Sequence, residues 1–428
     1  MFKSPAAWAQ IAAIILAASM TFSPFLLSVG IWMLVAVALW ESALLVLKRD
    51  GRITWKRVLL FSWQRLASNK AFLALTVLFW IVCISLIWSS DLSFGLERVR
   101  IRIPFLVLPW AVANLPRMSI RQYASVIVVL VIVLLLLCLG VWVNFLLDRD
   151  TVMTGLGEGQ PIPVPRHHIR FSLMMVVALL SGGWLFSKKG YWRSNNERWL
   201  FGAALSFLLL FLHFLSVRSA IVALYATTFF TVVRFLYLTQ RWKAGLVALL
   251  FLIITPIIAI QTVKSLQQRI AYMVYDWQHY QSAGGGESYS DSERFVSLYV
   301  GWSIWKSQPV LGSGVGDLEE ETKRMTEQLY QEYSETPKLP HNQFIYILAS
   351  TGLFGLVLSL FSFLYPFFFR VYREKYLFLS FQVVVFISFL VEYTLETSIG
   401  TAFYLFYQLW FMQMASTHYD TSPPSGSS

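Results

Sequence analysis

The sequence Pro340-His341-Asn342-Gln343-Phe344 stands at the start of an apolar run that continues to Phe369. A proline, a histidine and an asparagine, which is a common helix cap, thus precede a segment long enough to cross a bilayer as a helix. Gly352 and Gly355 lie inside this run, where small residues allow a neighbouring segment to approach closely. The junction therefore predicts a membrane helix with polar, titratable residues at its N-terminus.

The whole chain has the composition of a membrane protein. Of its 428 residues, 57% are hydrophobic and 13% are charged, and the mean hydropathy is +0.60. Soluble chains carry about 25% charged residues, so the composition excludes a soluble domain. The net charge of +11 must therefore be divided between the two sides of a membrane rather than assigned to nucleic-acid binding. Cys83 and Cys138 lie within apolar runs and suggest no disulfide framework.

Apolar runs of span length recur along the chain and predict an all-α polytopic fold with about twelve transmembrane helices. The predicted spans are 7–23, 26–47, 71–89, 102–116, 123–146, 171–187, 199–215, 219–239, 244–262, 342–369, 376–393 and 400–416. Spans one to nine occupy 1–262, a long helical loop 263–341, the last three spans 342–416, and a tail 417–428.

Lysines and arginines predict the orientation of these spans. They concentrate in the connections 48–70, 117–121, 188–198, 241–243 and 370–375. Because positively charged connections stay in the cytoplasm, both termini are predicted to be cytoplasmic and the 263–341 loop to lie outside.

Several cations are predicted to lie on the outer side, against this rule. They are Arg98, Arg100, Arg102, Arg166, His167, His168, Arg170, Arg218, Arg269 and Arg294. Snorkelling or pairing with nearby acids accounts for any single one of them. Several segments that bring arginine to one face favour an anion site, because guanidinium binds phosphate through two parallel hydrogen bonds. Arg218 is the clearest case, since Ser216-Val217-Arg218-Ser219 joins two apolar runs with almost no loop.

The long loop is predicted to contain two amphipathic helices that lie against the membrane surface. Apolar residues recur at helical spacing from Leu266 to Trp277 and again from Phe295 to Trp305, with a glycine-rich connector at 281–290. The glycine turn 312–316 follows, and its backbone N–H groups serve either a simple turn or an anion-binding nest.

His341 is the candidate general base, because imidazole accepts a proton near neutral pH. His168 is the competing candidate, and with His167 it leaves a two-histidine metal site open. Asp148-Arg149-Asp150 is formally a D-x-D pattern, the type that holds a divalent cation against pyrophosphate. No HExxH sequence and no Cys/His cluster supports a metal, so we predict neither a metal nor a cofactor.

These features resemble the O-antigen ligase/polymerase family of bacterial inner-membrane glycosyltransferases. The resemblance rests on Ser216-Val217-Arg218-Ser219, on Arg294 with Trp302, on the 312–316 turn, and on His341-Asn342 with Gly352-Leu353-Phe354-Gly355. It covers about 200–360; the first half matches only in hydropathy. The resemblance implies a GT-C-like enzyme with a periplasmic active site.

The resemblance also implies the reaction. A ligase of this kind transfers a polysaccharide from undecaprenyl pyrophosphate to a sugar hydroxyl of lipid A–core, with inversion and without a metal. His341 would be the base, and Arg218 and Arg294 would stabilise the pyrophosphate. Substrate-binding roles are expected for Arg98, Arg100, Arg102, Arg166, His168, Arg170 and Asn342. The alternatives are an O-antigen polymerase, a protein O-oligosaccharyltransferase and a lipid-linked oligosaccharide transporter.

Overall fold

The fold is helical throughout the part of the chain that the structure describes. A computed structural model describes residues 4–283 and 290–420, and no β-strand occurs among them. The first ten α-helices are α1 Pro5–Ser19, α2 Pro24–Asp50, α3 Trp55–Ser68, α4 Lys70–Leu75, α5 Val77–Ser85, α6 Leu92–Arg102, α7 Pro104–Ala113, α8 Ile120–Leu147, α9 Arg149–Gly157 and α10 His168–Ser187. The others are α11 Asn195–Leu215, α12 Arg218–Thr239, α13 Trp242–Thr262, α14 Lys264–Ala283, α15 Ser290–Ser307, α16 Leu318–Leu329, α17 Gln343–Leu364, α18 Arg370–Arg373, α19 Tyr376–Val391 and α20 Ser398–Asp420. Short 3₁₀ turns lie at Leu86–Trp88, Lys189–Tyr191, Gln331–Tyr333, Tyr365–Phe368 and Thr394–Glu396.

Eight helical segments among the described residues are long and apolar enough to cross a membrane. They are α2, the α4–α5 segment Lys70–Trp88, α8, α10, α11, α12, α13, and α17 with its following turn as Gln343–Phe368. Each coincides with a predicted span, and together they support a multi-pass membrane protein. The total of twelve stays a prediction.

The other four predicted spans form helices that fall short of these criteria. α1 has 15 residues, α19 has 16, and α7 has only 10 with Pro109 inside it. α20 has 23 residues and is buried on nearly every side. A helix surrounded by other helices need not be strongly apolar, because it does not face lipid. Its Trp410 N–H accordingly donates to the Tyr123 carbonyl oxygen at 3.3 Å inside the bundle.

The 263–341 loop contains the two predicted helices, α14 and α15, and a third, α16. Most of the predicted glycine-rich connector, residues 284–289, lies outside the described residues. On α15, Val296, Val300 and Ile304 are buried against Tyr346 and Ala349 of α17. This packing places α15 directly against the first turns of α17.

The glycine turn 312–316 fills a break in α17. Gly352 has φ 63° and ψ −164°, which interrupts the helical hydrogen bonds of α17. Ser313 and Gly314 donate their N–H groups to the carbonyl oxygens of Ala349 and Ser350, both at 2.9 Å. Leu353 N–H in turn donates to Pro309 O at 2.9 Å. The N–H groups of the turn thus satisfy the broken helix, which decides between the two readings of the turn in favour of a structural role.

The same turn holds the chain near the start of α6. The carboxylate of Asp317 accepts the N–H of Ser90 at 2.8 Å and that of Asp91 at 2.7 Å. The Asp91 side chain then accepts the Phe94 N–H at 3.0 Å and caps α6. The 309–317 segment therefore joins α6 to the break in α17.

We expect Gly352→Ala to destabilise the folded protein by about 3 kcal/mol or more, since this backbone conformation is essentially restricted to glycine. A Cβ at this position would lie 2.3 Å from the Val310 carbonyl oxygen. Gly140→Ala in α8 is the matched control, because its Cβ meets nothing within 4 Å. Thermal unfolding in detergent should show a large loss of Tm for residue 352 and none for residue 140. Equal Tm values would contradict the role assigned to the break.

Candidate active site

His341 is held at the mouth of α17 by its neighbours in sequence and by α15. Asn342 Oδ1 accepts the N–H groups of Phe344 at 2.9 Å and Ile345 at 3.1 Å, which confirms Asn342 as the cap of α17. Its amide group donates to the Leu390 carbonyl oxygen at 3.0 Å. The His341 N–H donates to Ser297 Oγ of α15 at 3.3 Å. The backbone that presents the imidazole is therefore fixed from two sides.

A carboxylate that the sequence analysis did not single out faces this imidazole. Glu392 follows α19, and its Oε2 lies 3.9 Å from His341 Nδ1. Its other oxygen, Oε1, lies 3.6 Å from the guanidinium of Arg294. The Glu392 side chain is 8% exposed, whereas His341 is 19% and Arg294 30% exposed. Glu392 thus joins two predicted catalytic residues in one buried charge cluster.

The charge state of Glu392 follows from its neighbours. Burial by itself would raise the pKa of the Glu392 carboxyl. His341, Arg294 and His167 outweigh burial and hold this pKa below its ordinary value. Glu392 is therefore an anion at neutral pH.

Because the folded pKa of Glu392 is depressed, its ionised form stabilises the fold above the ordinary carboxyl pKa, and this stabilisation is lost as pH falls through the lowered value. Arg294→Met should remove part of the depression. We expect acid unfolding of that variant to begin at a higher pH than in the wild type. Tm measured across a pH series in detergent tests this. If Tm begins to fall at the same acidic pH in the variant and the wild type, Arg294 does not lower the pKa of Glu392.

Arg218 begins α12 on a turn that is held from the other side by α14. Ser216 is 1% exposed, adopts φ 54°, and its Oγ lies 2.8 Å from Ser265 Oγ. His213 contacts the Leu209 carbonyl oxygen through Nδ1 and the Tyr225 hydroxyl through Nε2, both at 2.9 Å. The Ser216 N–H donates to the His213 carbonyl oxygen at 3.1 Å. The short connection predicted to present Arg218 is thus a rigid, buried turn.

Arg218 and Arg294 line one cavity of about 690 Å³. Its other lining residues are mostly apolar, with Asp276 among the polar ones: Met273, Val274, Asp276, Trp277, Gln278, Ser292, Phe295 and Leu298. A cavity with apolar walls and two guanidinium groups suits a ligand that is part hydrocarbon and part anion. Through Arg294 the cavity reaches Glu392 and His341.

The segment before α10 and the start of α10 bring two imidazoles and a further arginine to this cluster. The rings of His167 and His168 are stacked with centroids 5.1 Å apart. His167 interacts electrostatically with Arg170, Glu392, Arg294 and His341, and His168 interacts with Arg269, Arg294 and Glu392. The structure therefore gathers His167, His168 and Arg170 around the same carboxylate.

Four other arginines that were predicted to bind substrate do not line the cavity of Arg218 and Arg294. Arg102 is 3% exposed and pairs with Glu396, so it is directed into the protein interior. Arg98 lies on the Phe94 ring at 4.3 Å and donates to the Glu396 carbonyl oxygen at 3.3 Å. Arg100 and Arg166 are exposed, and Arg166 donates to the Phe22 carbonyl oxygen at 3.4 Å. Burial of Arg102 does not fit the expected contact with substrate.

The Arg102–Glu396 pair instead supports the segment that carries His341. Glu396 Oε1 also accepts from Gln343 Nε2 at 3.0 Å, and Gln343 Oε1 accepts the Leu395 N–H at 2.8 Å. Gln343 lies two residues after His341, and Leu395 lies three residues after Glu392. The buried network therefore fixes the two sides of the His341–Glu392 contact relative to each other.

The sequence does carry a signal for Glu392. Glu392 falls inside the predicted span 376–393, and ionisable residues within apolar spans are usually functional. Asp148 and Asp150, by contrast, are exposed. Across residues 4–283 and 290–420, no three His, Cys, Asp or Glu side chains come together as a metal-binding group.

The middle of the chain matches a known protein family. A sequence model of the family described as O-antigen ligase matches residues 201–360, the same segment that carries the resemblance seen in the sequence. This segment contains Arg218, Arg294 and His341 and ends before Glu392. A search of curated proteins finds no significant match.

Proposed function

Residues 201–360 are an O-antigen ligase family segment, and on this premise we propose that the chain transfers a polysaccharide from undecaprenyl pyrophosphate to a sugar hydroxyl of lipid A–core. The observation that carries the proposal is that the cavity and the candidate base are connected through one residue. Arg218 and Arg294 share one largely apolar cavity, and Arg294 connects it to Glu392 and His341. The reaction would take place on the periplasmic side of the bacterial inner membrane.

The donor fits the cavity in two parts. Its pyrophosphate would lie between Arg218 and Arg294, and the first part of its prenyl chain would lie along the apolar walls that include Trp277 and Phe295. Both guanidinium groups then face the oxygen that gains negative charge as the glycosidic bond breaks. Donors placed where charge develops lower the barrier more than contacts with the resting substrate do.

His341 would act as the general base on the acceptor. The acceptor hydroxyl gives its proton to the imidazole while its oxygen attacks the anomeric carbon. The bond from that carbon to the pyrophosphate breaks, and undecaprenyl pyrophosphate leaves with the electron pair, inverting the anomeric centre. Glu392, 3.9 Å from Nδ1, would stabilise the imidazolium that forms.

The remaining predicted binding residues would hold phosphate groups around this centre. Arg170 and His168 are the best placed, because both interact electrostatically with Glu392. Arg98, Arg100 and Arg166 would bind phosphate groups at a greater distance from His341. Arg102 is assigned to the support of His341 instead of to substrate, and Asn342 to the helix cap.

The closest alternatives share the donor and differ in the acceptor. A polymerase would use a second lipid-linked glycan, and a protein O-oligosaccharyltransferase would use a protein hydroxyl. A transporter could bind pyrophosphate through arginines but would not need a general base. The His341–Glu392 contact beside the cavity favours an enzyme over a transporter.

The test uses purified full-length protein with undecaprenyl-pyrophosphate glycan and lipid A–core, with and without EDTA. We expect glycan–lipid A–core conjugate at the same rate in both. Lengthened lipid-linked glycan without conjugate would identify a polymerase. Product that disappears in EDTA would contradict a metal-independent reaction and direct attention to Asp148 and Asp150.

A further inference from the structure

A second cavity lies at the same end of the helical bundle as the candidate active site. It has a volume of about 510 Å³ and lies among the ends of α8, α11 and α13 and the starts of α9 and α14. None of the residues that line it lines the cavity of Arg218 and Arg294. The reaction proposed above does not use it.

The body of this cavity is aromatic and apolar. Trp142 and Phe145 of α8 pack against Phe214 of α11 with ring centroids 5.0 and 4.9 Å apart. Phe207 and Phe211 stack at 5.6 Å along the same face of α11. These walls belong to the last turns of two candidate spans, so they lie at the depth of hydrocarbon chains in one leaflet.

The mouth of the cavity is cationic. Arg149 and Lys264 both line it and are both exposed. Neither forms an ion pair with any residue in the described ranges, and this includes Asp148 and Asp150, which flank Arg149. Apolar walls below two cations are complementary to a lipid whose headgroup carries phosphate.

The cavity is joined to the candidate active site by α14. Ser265 lines the cavity and contacts Ser216, which stands two residues before Arg218. Met273, further along α14, lines the other cavity. Residues 265 and 273 lie about 12 Å apart along the helix axis. A headgroup of several sugars anchored at Arg149 and Lys264 is long enough to bridge such a separation.

We propose that this cavity binds the acceptor, a lipid with phosphate groups on its sugar headgroup, by its acyl chains and phosphates. The assignment of this lipid as the acceptor rests on the proposed function. The two lipids of the reaction then occupy separate cavities at two positions along α14, and only the core sugars of the acceptor extend to His341. Separate binding keeps the two anionic headgroups apart while their sugars meet.

The test measures transfer by Arg149→Ala/Lys264→Ala at varied lipid A–core with saturating donor, and at varied donor with saturating lipid A–core. We expect the acceptor KM to rise about tenfold or more, equivalent to about 1.4 kcal/mol, with the donor KM unchanged. Lys306→Ala/Lys323→Ala is the matched control, because it removes two exposed cations of the 263–341 loop that line neither cavity. Lipid A–core from which the phosphates have been removed should bind wild type and variant equally.

Three results would overturn the proposal: an unchanged acceptor KM, an equal rise in the control pair, or a rise that persists with the dephosphorylated acceptor. Binding of lipid A–core to His341→Ala protein, followed by native mass spectrometry, tests the cavity without turnover. If this binding depends on Arg149 and Lys264 while the wild-type protein shows no transferase activity, the lipid site stands and the proposed function alone is rejected.

Discussion

His341→Ala should lower the rate of glycan transfer by about 10²-fold or more, the usual contribution of a general base. The side chain is partly exposed and faces Glu392, while its backbone is held independently by Asn342 and Ser297. Truncation should therefore remove the base without displacing α17. The measurement is the initial rate of conjugate formation by purified protein at saturating donor and acceptor.

Two controls separate chemistry from folding in this experiment. The Tm of His341→Ala and its yield in the membrane fraction should match the wild type, since the capping contacts of Asn342 remain. Added imidazole should restore part of the activity, because the truncated site is partly open to solvent. A variant with near-normal transfer would remove the base assignment and leave Glu392 without an imidazole to stabilise.

The sequence predicted the parts of the fold that composition alone determines. Spans that face lipid on one side, such as α8 and α13, are strongly apolar, so hydropathy located them. α20 is surrounded by protein, and its amphiphilic Tyr404, Tyr407 and Gln408 are buried by other helices. Composition cannot anticipate this burial, because it depends on the neighbours that the helix acquires in the fold.

The residues proposed for the site could be identified from the sequence where one segment carried the signal. His341 and Asn342 were identifiable from a proline, a cap and an apolar run that follow one another, and Arg218 from a connection too short for bulk solvent. The pairing of Arg102 with Glu396 was not predictable, because Glu396 is remote in sequence and meets Arg102 only through packing. The spacing did hold part of the answer: Arg98 and Arg102 share a helix face, and Arg100 points away from it.

Arg218→Lys should reduce transfer nearly as much as Arg218→Ala, by about 10²-fold, the usual effect of removing one donor to developing negative charge. Lysine keeps the charge but offers no planar pair of N–H donors, and its ammonium cannot take the guanidinium position on a turn fixed by Ser216 and Ser265. Because the contact strengthens as the leaving pyrophosphate gains charge, kcat should fall more than donor affinity.

Arg234→Lys provides a matched comparison on the same helix. Arg234 lies about 24 Å from Arg218 along α12 and donates to the Glu374 carbonyl oxygen at 2.9 Å, away from the cavity. Its substitution should leave both kinetic constants unchanged. Full activity in Arg218→Lys alone would show that only the positive charge of Arg218 is needed. Full activity in Arg218→Ala would exclude Arg218 from the reaction. A loss of kcat in Arg218→Lys but not in Arg234→Lys would instead identify a directional contact with the leaving group. The rigid turn before α12 would fix the guanidinium for such a contact.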